Sequence, residues 1–191
     1  EYKYRDYYTT TFPRDRLFPE QLRLVPEGAE INVYIKDRRK WGVENCSFLL
    51  LPGETRDYLT PAHVHLYKQE QQDPLRDPSL RAFASGTFSG IAVRCVFDVR
   101  QPIKDDRYEI FFTLRDSAGF RIRRLLGKVQ PMYYSPTERA IVAQTLFDWG
   151  KWPEDDYRLE VSFLGEIMAA IRFTVGDKDI PGAYSPADFE K

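Results

Sequence analysis

The sequence predicts an all-β fold: an antiparallel β-sandwich with N-terminal additions and a long polar excursion. Three observations carry that expectation. Apolar residues alternate with period two in at least seven short segments bounded by turn formers. The 191 residues include 13 Pro and 11 Gly, with 15% aromatics, a composition that suits short strands and many turns. No segment offers an amphipathic helix of three turns. The best candidate (Leu17, Phe18, Leu22, Leu24 and Val25) is punctuated by Pro13, Pro19 and Pro26.

The elements follow in chain order. Ile31, Val33 and Ile35 alternate with Asn32, Tyr34 and Lys36. Residues 69–82 read as a polar connection with room for one helical turn. The small-residue run 84–90 reads as a turn before the next strand. Ile91, Val93, Cys95, Phe97 and Val99 then share one face, followed by Tyr108, Ile110, Phe112 and Leu114. Asp116-Ser117-Ala118-Gly119 interrupts before Phe120 and Ile122. That is a hairpin signal, with Asp opening the turn and Gly supplying a positive φ. Over 139–147 the branched residues Ile141, Val142 and Thr145 favour a strand over a short helix. The last hairpin sets Tyr157, Leu159, Val161 and Phe163 against Ile167, Ala169, Ile171, Phe173 and Val175, turning at Gly165-Glu166.

A chain of this length forms one large domain or two very small ones. The expected organisation is an extension over 1–28, a single sandwich over 29–176 (best defined over 86–176), and a loosely held tail over 177–191. Charged residues make up 30% with a formal net charge of −1. That balance excludes a disordered chain and gives no electrostatic reason to expect nucleic acid as partner. No apolar run approaches the roughly 20 residues of a membrane helix. The opening Glu1 fits a removed signal peptide or a trimmed chain, and Cys46 and Cys95 are compatible with one disulfide. Spacing leaves that pairing open, because a buried free Cys behaves as a small hydrophobe. Together these features lean towards an extracytoplasmic location.

The string Trp152-Pro153-Glu154-Asp155-Asp156-Tyr157-Arg158-Leu159-Glu160-Val161, closed by Ile171-Arg172-Phe173-Thr174-Val175, resembles the last two strands of immunoglobulin-like and fibronectin-like sandwiches. Such modules are frequent in bacterial exported proteins. Val93 to Val99 followed by Tyr108 to Ile122 resembles their paired middle strands, so the likeness covers about half the chain. No Trp lies between Cys46 and Cys95, which departs from the antibody pattern of Cys, Trp, Cys. The resemblance implies a fold and a habit of binding or scaffolding, with Tyr157 placed to act as a tyrosine corner, although Leu159 stands two positions later where the antibody pattern has Cys. Fold analogy alone carries no function.

Four groups of residues could carry chemistry. His63 and His65, two apart on a strand, project from one face and could share a metal, although no further ligand lies at motif spacing. Asp105-Asp106 and Glu154-Asp155-Asp156 could bind calcium, or simply form solvated turns. A basic stretch, Arg121, Arg123, Arg124 and Lys128, follows the central hairpin; Arg121 and Arg123 share a face, opposite Phe120 and Ile122, and offer planar forks to an anionic partner. The rings of Trp149, Trp152, Tyr133 and Tyr134 could stack on sugars or anchor an interface.

Enzyme motifs are missing, and no cofactor is expected: there is no Gly-x-Ser-x-Gly, phosphate-cradling loop or His-Glu-x-x-His. The leading expectation is therefore a non-catalytic module that binds another protein in a cell-envelope or secreted assembly. Two alternatives follow. One is a carbohydrate-binding module on Trp149, Trp152, Tyr133 and Tyr134; the other is a metal-dependent hydrolase at His63 and His65. A glycan titration read by Trp fluorescence separates the first alternative, and metal analysis of untagged protein separates the second.

Overall fold

A computed structural model of the chain describes residues 7–12, 31–36, 47–52, 55–71, 77–103, 108–133 and 139–190. The chain divides into two compact units. One holds Glu1–Asp57 with Leu164–Glu166; the other holds Tyr58–Phe163 with Ile167–Lys191. In the first, β1 (Tyr7–Phe12), β2 (Ile31–Lys36) and β3 (Ser47–Pro52) form an antiparallel sheet in the order β1-β2-β3. Thr55 Oγ1 donates a hydrogen bond to Glu166, which also lies 3.6 Å from Arg56 Nε.

The second unit is an all-β sandwich of two mostly antiparallel sheets, as the alternation predicts. Its strands are β4 (Leu59–Lys68), β5 (Leu80–Ala84), β6 (Gly90–Val99), β7 (Ile110–Arg115), β8 (Arg121–Leu126), β9 (Lys128–Tyr133), β10 (Arg139–Asp148), β11 (Asp155–Phe163), β12 (Glu166–Gly176) and β13 (Ile180–Pro181). The smaller sheet runs β4-β6-β10-β9 and the larger β13-β5-β12-β11-β7-β8. Among the described residues only β5 and β12 pair in parallel. No helix among the described residues is long and apolar enough to cross a membrane.

Alternating side chains build the core. Ile91, Val93, Cys95 and Phe97 of β6 are buried, as are Ile110, Phe112 and Leu114 of β7 and, on the neighbouring strand β11, Leu159, Val161 and Phe163. Deleting a ring from such an interior costs about 3–5 kcal/mol. The β7–β8 hairpin forms as expected: the Gly119 amide donates to the Asp116 carbonyl, and Gly119 takes φ +84°. In the β11–β12 hairpin the turn residues are Leu164 (φ 50°) and Gly165 (φ 88°), one position earlier than expected. Two successive positive φ angles match the twist of a two-residue hairpin loop. Residues 139–148 are strand throughout.

Two expectations need correction. Leu80 and Arg81 belong to strand β5, not to the polar connection. Cys95, whose pairing the sequence leaves open, is a free buried thiol opposite Ala143 and Val64, and Cys46 lies outside the described residues. Burial pushes the Cys95 thiol well above its ordinary pKa.

The second correction concerns residues 177–190, which are not a loose tail. They return along β5 as β13 and then cross to β4, where Val64 and Tyr184 exchange backbone hydrogen bonds. Arg81 holds this segment through the Ala183 carbonyl and a 2.9 Å ion pair with Asp188, and its guanidinium lies over the Tyr184 ring. Lys68 Nζ, on β4, reaches Asp179 at 2.6 Å and Thr87 at 2.9 Å. The tail thus closes one flank of the sandwich.

Candidate functional site

The opposite flank carries β8 and β9. They are joined by Gly127, where the chain passes from one sheet to the other. A Cβ there would stand 2.6 Å from Phe112 Cε2, so only glycine lets the backbone pass this close to the core. Among the described residues, β8 pairs on one side only, with β7, and is the last strand of its sheet.

A bulge sets the direction of the β8 side chains. The register slips between Leu114↔Arg123 and Arg115↔Arg121, leaving Ile122 as the extra residue. Arg121 and Arg123 therefore do not share a face, because one inserted residue reverses the alternation. Arg121 stands opposite outward-facing Arg115. Arg123 stands opposite core-facing Leu114 and donates from Nη1 to the Asp148 carbonyl at the end of β10, 3.0 Å away. Arg124 lies outward, 4.4 Å over the Phe111 ring; burial and the charge of Arg121 lower its pKa.

Two of the expected groups meet here. Arg123, Trp149 and Trp152 line one cleft of about 130 Å³, together with Leu114, Ile122, Phe147 and Asp148. The two indoles have different jobs. Trp152 is only 2% exposed: its Nε1 donates to the Ser89 carbonyl, and its ring packs among Phe88, Tyr157 and Phe173. It is core, not a stacking platform. Trp149 is 43% exposed and meets Trp152 and Tyr157 edge-on, at 5.3 and 6.2 Å between centroids. At the hairpin tip Phe120 is 73% exposed. Tyr133 ends β9 opposite Arg139, and Tyr134 lies outside the described residues.

The neighbouring arginines behave differently. On the outer side of the large sheet Arg115 and Arg158 both pair with Glu160, and Glu190 pairs with Arg158 and Arg172. Arg121, Arg123 and Arg124 form no ion pair with a described carboxylate. Three cations on a strand edge, beside a row whose charges are matched, are the main electrostatic asymmetry of this flank.

The remaining expected groups lie elsewhere. His63 and His65 do share a face of β4, with ring centroids 6.0 Å apart, while Val64 and Leu66 point into the core. Among the described residues no third His, Cys, Asp or Glu joins them to make a group that could hold a metal. Burial, His63 and Arg94 all lower the pKa of His65. Asp155 accepts from the Ser117 amide and so serves the hairpin turn, whereas Asp105 and Asp106 lie outside the described residues. Tyr157 Oη donates to the Pro153 carbonyl four residues upstream, 2.9 Å away.

Sequence reasoning placed Arg124 in the basic stretch but not on a face, since an alternation count cannot see the bulge that turns it outward. It missed Arg94 and Gln144, which cross-strand register brings together with Lys128 on the outer face of the small sheet. Comparison with known proteins finds no matching family model, curated protein or solved structure.

Proposed function

We propose that the chain is a non-catalytic protein-binding module that captures an extended acidic segment of its partner along β8. The observation that carries this reading is the unmatched charge of Arg121, Arg123 and Arg124 on a strand that pairs on one side only. An added strand would satisfy the outward-facing amides and carbonyls of β8. Alternate acidic side chains on the outer face would meet Arg121 and Arg124, each exposed pair contributing about 0.2–1 kcal/mol. An apolar side chain between them fits the cleft beside Trp149. Phe120, exposed at the tip, extends the apolar surface. The tyrosine-corner hydrogen bond of Tyr157 supports kinship with immunoglobulin-like binding modules.

A ten-residue peptide alternating Glu with Val or Leu tests the proposal by titration, followed by amide exchange at residues 121–126. Protection of those amides is expected, with at least tenfold weaker binding to the Arg121→Glu/Arg124→Glu variant. A Lys-for-Glu peptide should not bind. Absence of binding at millimolar peptide, or equal affinity for the charge-reversed variant, would refute the proposal.

A further inference from the structure

The outer face of the four-stranded sheet carries a groove of about 280 Å³, lined among others by Tyr67, Arg94, Lys128, Gln144 and Leu146. Register explains why these residues meet. His65 pairs with Arg94, Arg94 with Gln144, and Gln144 with Lys128, so one row crosses all four strands. The next row places Tyr67 and Leu146 on either side of Ala92. Strands lie about 4.8 Å apart, which puts Arg94 and Lys128 roughly 10 Å apart at the backbone, with the Gln144 amide between them.

We propose that this groove binds a saccharide chain bearing carboxylates, such as a run of uronic acid residues. Charge is the first argument. None of the described residues lining the groove is acidic, and neither Arg94 nor Lys128 forms an ion pair with a described carboxylate. Asp77 acts electrostatically on Tyr67 at one margin of the groove. The ligand must therefore supply the negative charge, and the guanidinium fork of Arg94 fits a carboxylate in bidentate fashion.

The second argument is where the donors come from. In the middle of this sheet the backbone groups are already consumed by the ladders to both neighbours. An extended peptide would find no main-chain partners here, unlike at β8. Recognition must come from side chains, and Lys128 and Gln144 offer donors and an acceptor to ring hydroxyls. Leu146 and the edge of Tyr67 give apolar margins for the C–H face of a sugar. The open form of the groove suits a chain passing across it.

Trimers of galacturonic, glucuronic and mannuronic acid, titrated calorimetrically into the whole chain, test the proposal. Binding of at least one is expected, and its fully methyl-esterified counterpart should bind at least tenfold more weakly. Arg94→Gln and Lys128→Gln should each weaken binding about tenfold with an unchanged circular-dichroism spectrum, and Lys178→Gln, at an exposed position elsewhere, should leave it as it was. Three outcomes would overturn the inference: no binding of any trimer at millimolar concentration, equal binding of the ester, or tighter binding of a Glu-rich peptide that competes for the same residues. A sulfated disaccharide that outcompetes every uronate would also reject the carboxylate assignment.

Discussion

Val64 of β4 and Tyr184 of the C-terminal segment exchange both backbone hydrogen bonds, each at 2.9 Å, across 120 residues of sequence. The side chain of Tyr184 strengthens the joint. It is buried, and its hydroxyl donates to the Arg172 carbonyl on β12 at 2.7 Å. One residue therefore touches the edge of the small sheet with its backbone and the large sheet with its phenol.

Removing that phenol should loosen the sandwich in two measurable steps. Tyr184→Phe deletes one hydrogen bond and should cost about 1 kcal/mol in urea unfolding. Tyr184→Ala also empties an aromatic site and should cost about 3–5 kcal/mol. If the alanine variant unfolds at the midpoint of the parent, the tail is not a structural part of the sandwich.

Acid should release the same segment. Hydrogen bonds from the Ser185 amide and from Arg81 hold the Asp188 carboxyl down at about 2. Arg172 and Arg158 hold Glu190 low as well. Burial would push Asp179 up, but Lys68 and the Ala84 amide outweigh it and keep it low. A carboxyl whose folded pKa is depressed stabilises the fold above its unfolded value, about 4, and that contribution fades as pH falls through the folded value. Amide resonances of Tyr184 and Glu190 should thus stay constant between pH 7 and 5 and move between pH 4 and 2. Half-molar salt should reduce the effect at exposed Arg172. A flat response down to pH 2 would count against these ion pairs.

Gly127→Ala tests the passage between sheets. Its added methyl would meet the buried Phe112 ring and, at 3.2 Å, the Ile110 carbonyl. Displacing a packed ring costs about 1–3 kcal/mol, or roughly 2–10 °C in Tm for a chain of this size. Gly119→Ala is the control. Its Cβ meets open space, so only the positive φ is penalised, at about 1–2 kcal/mol. Equal Tm losses that disappear together in a Phe112→Leu background would contradict the packing argument.

How far the sequence foretold this structure depends on the range of the forces involved. The strands β6, β7, β11 and β12 were legible because each buries one face, and period two records that burial directly. The Asp116–Gly119 turn was legible because its geometry demands those residues locally. β5 escaped notice: five residues after a polar stretch carry too little alternation. The tail escaped because a two-residue strand and a single bridge owe their stability to Arg81, Lys68 and Val64, all far away in sequence. Trp149 and Trp152 look alike in the chain, and only packing separates the buried indole from the half-exposed one. The bulge at Ile122 likewise leaves no trace in the residue pattern, yet it decides where Arg123 points.

The clasp at Val64 has a consequence for biosynthesis. Its two halves emerge from the ribosome about 120 residues apart, and Glu190, which ties β11 to β12 through Arg158 and Arg172, comes later still. Until that stretch has cleared the exit tunnel, the nascent sandwich has one seam open and its hydrophobic interior within reach of chaperones. Pairings this distant in sequence also make for slow folders.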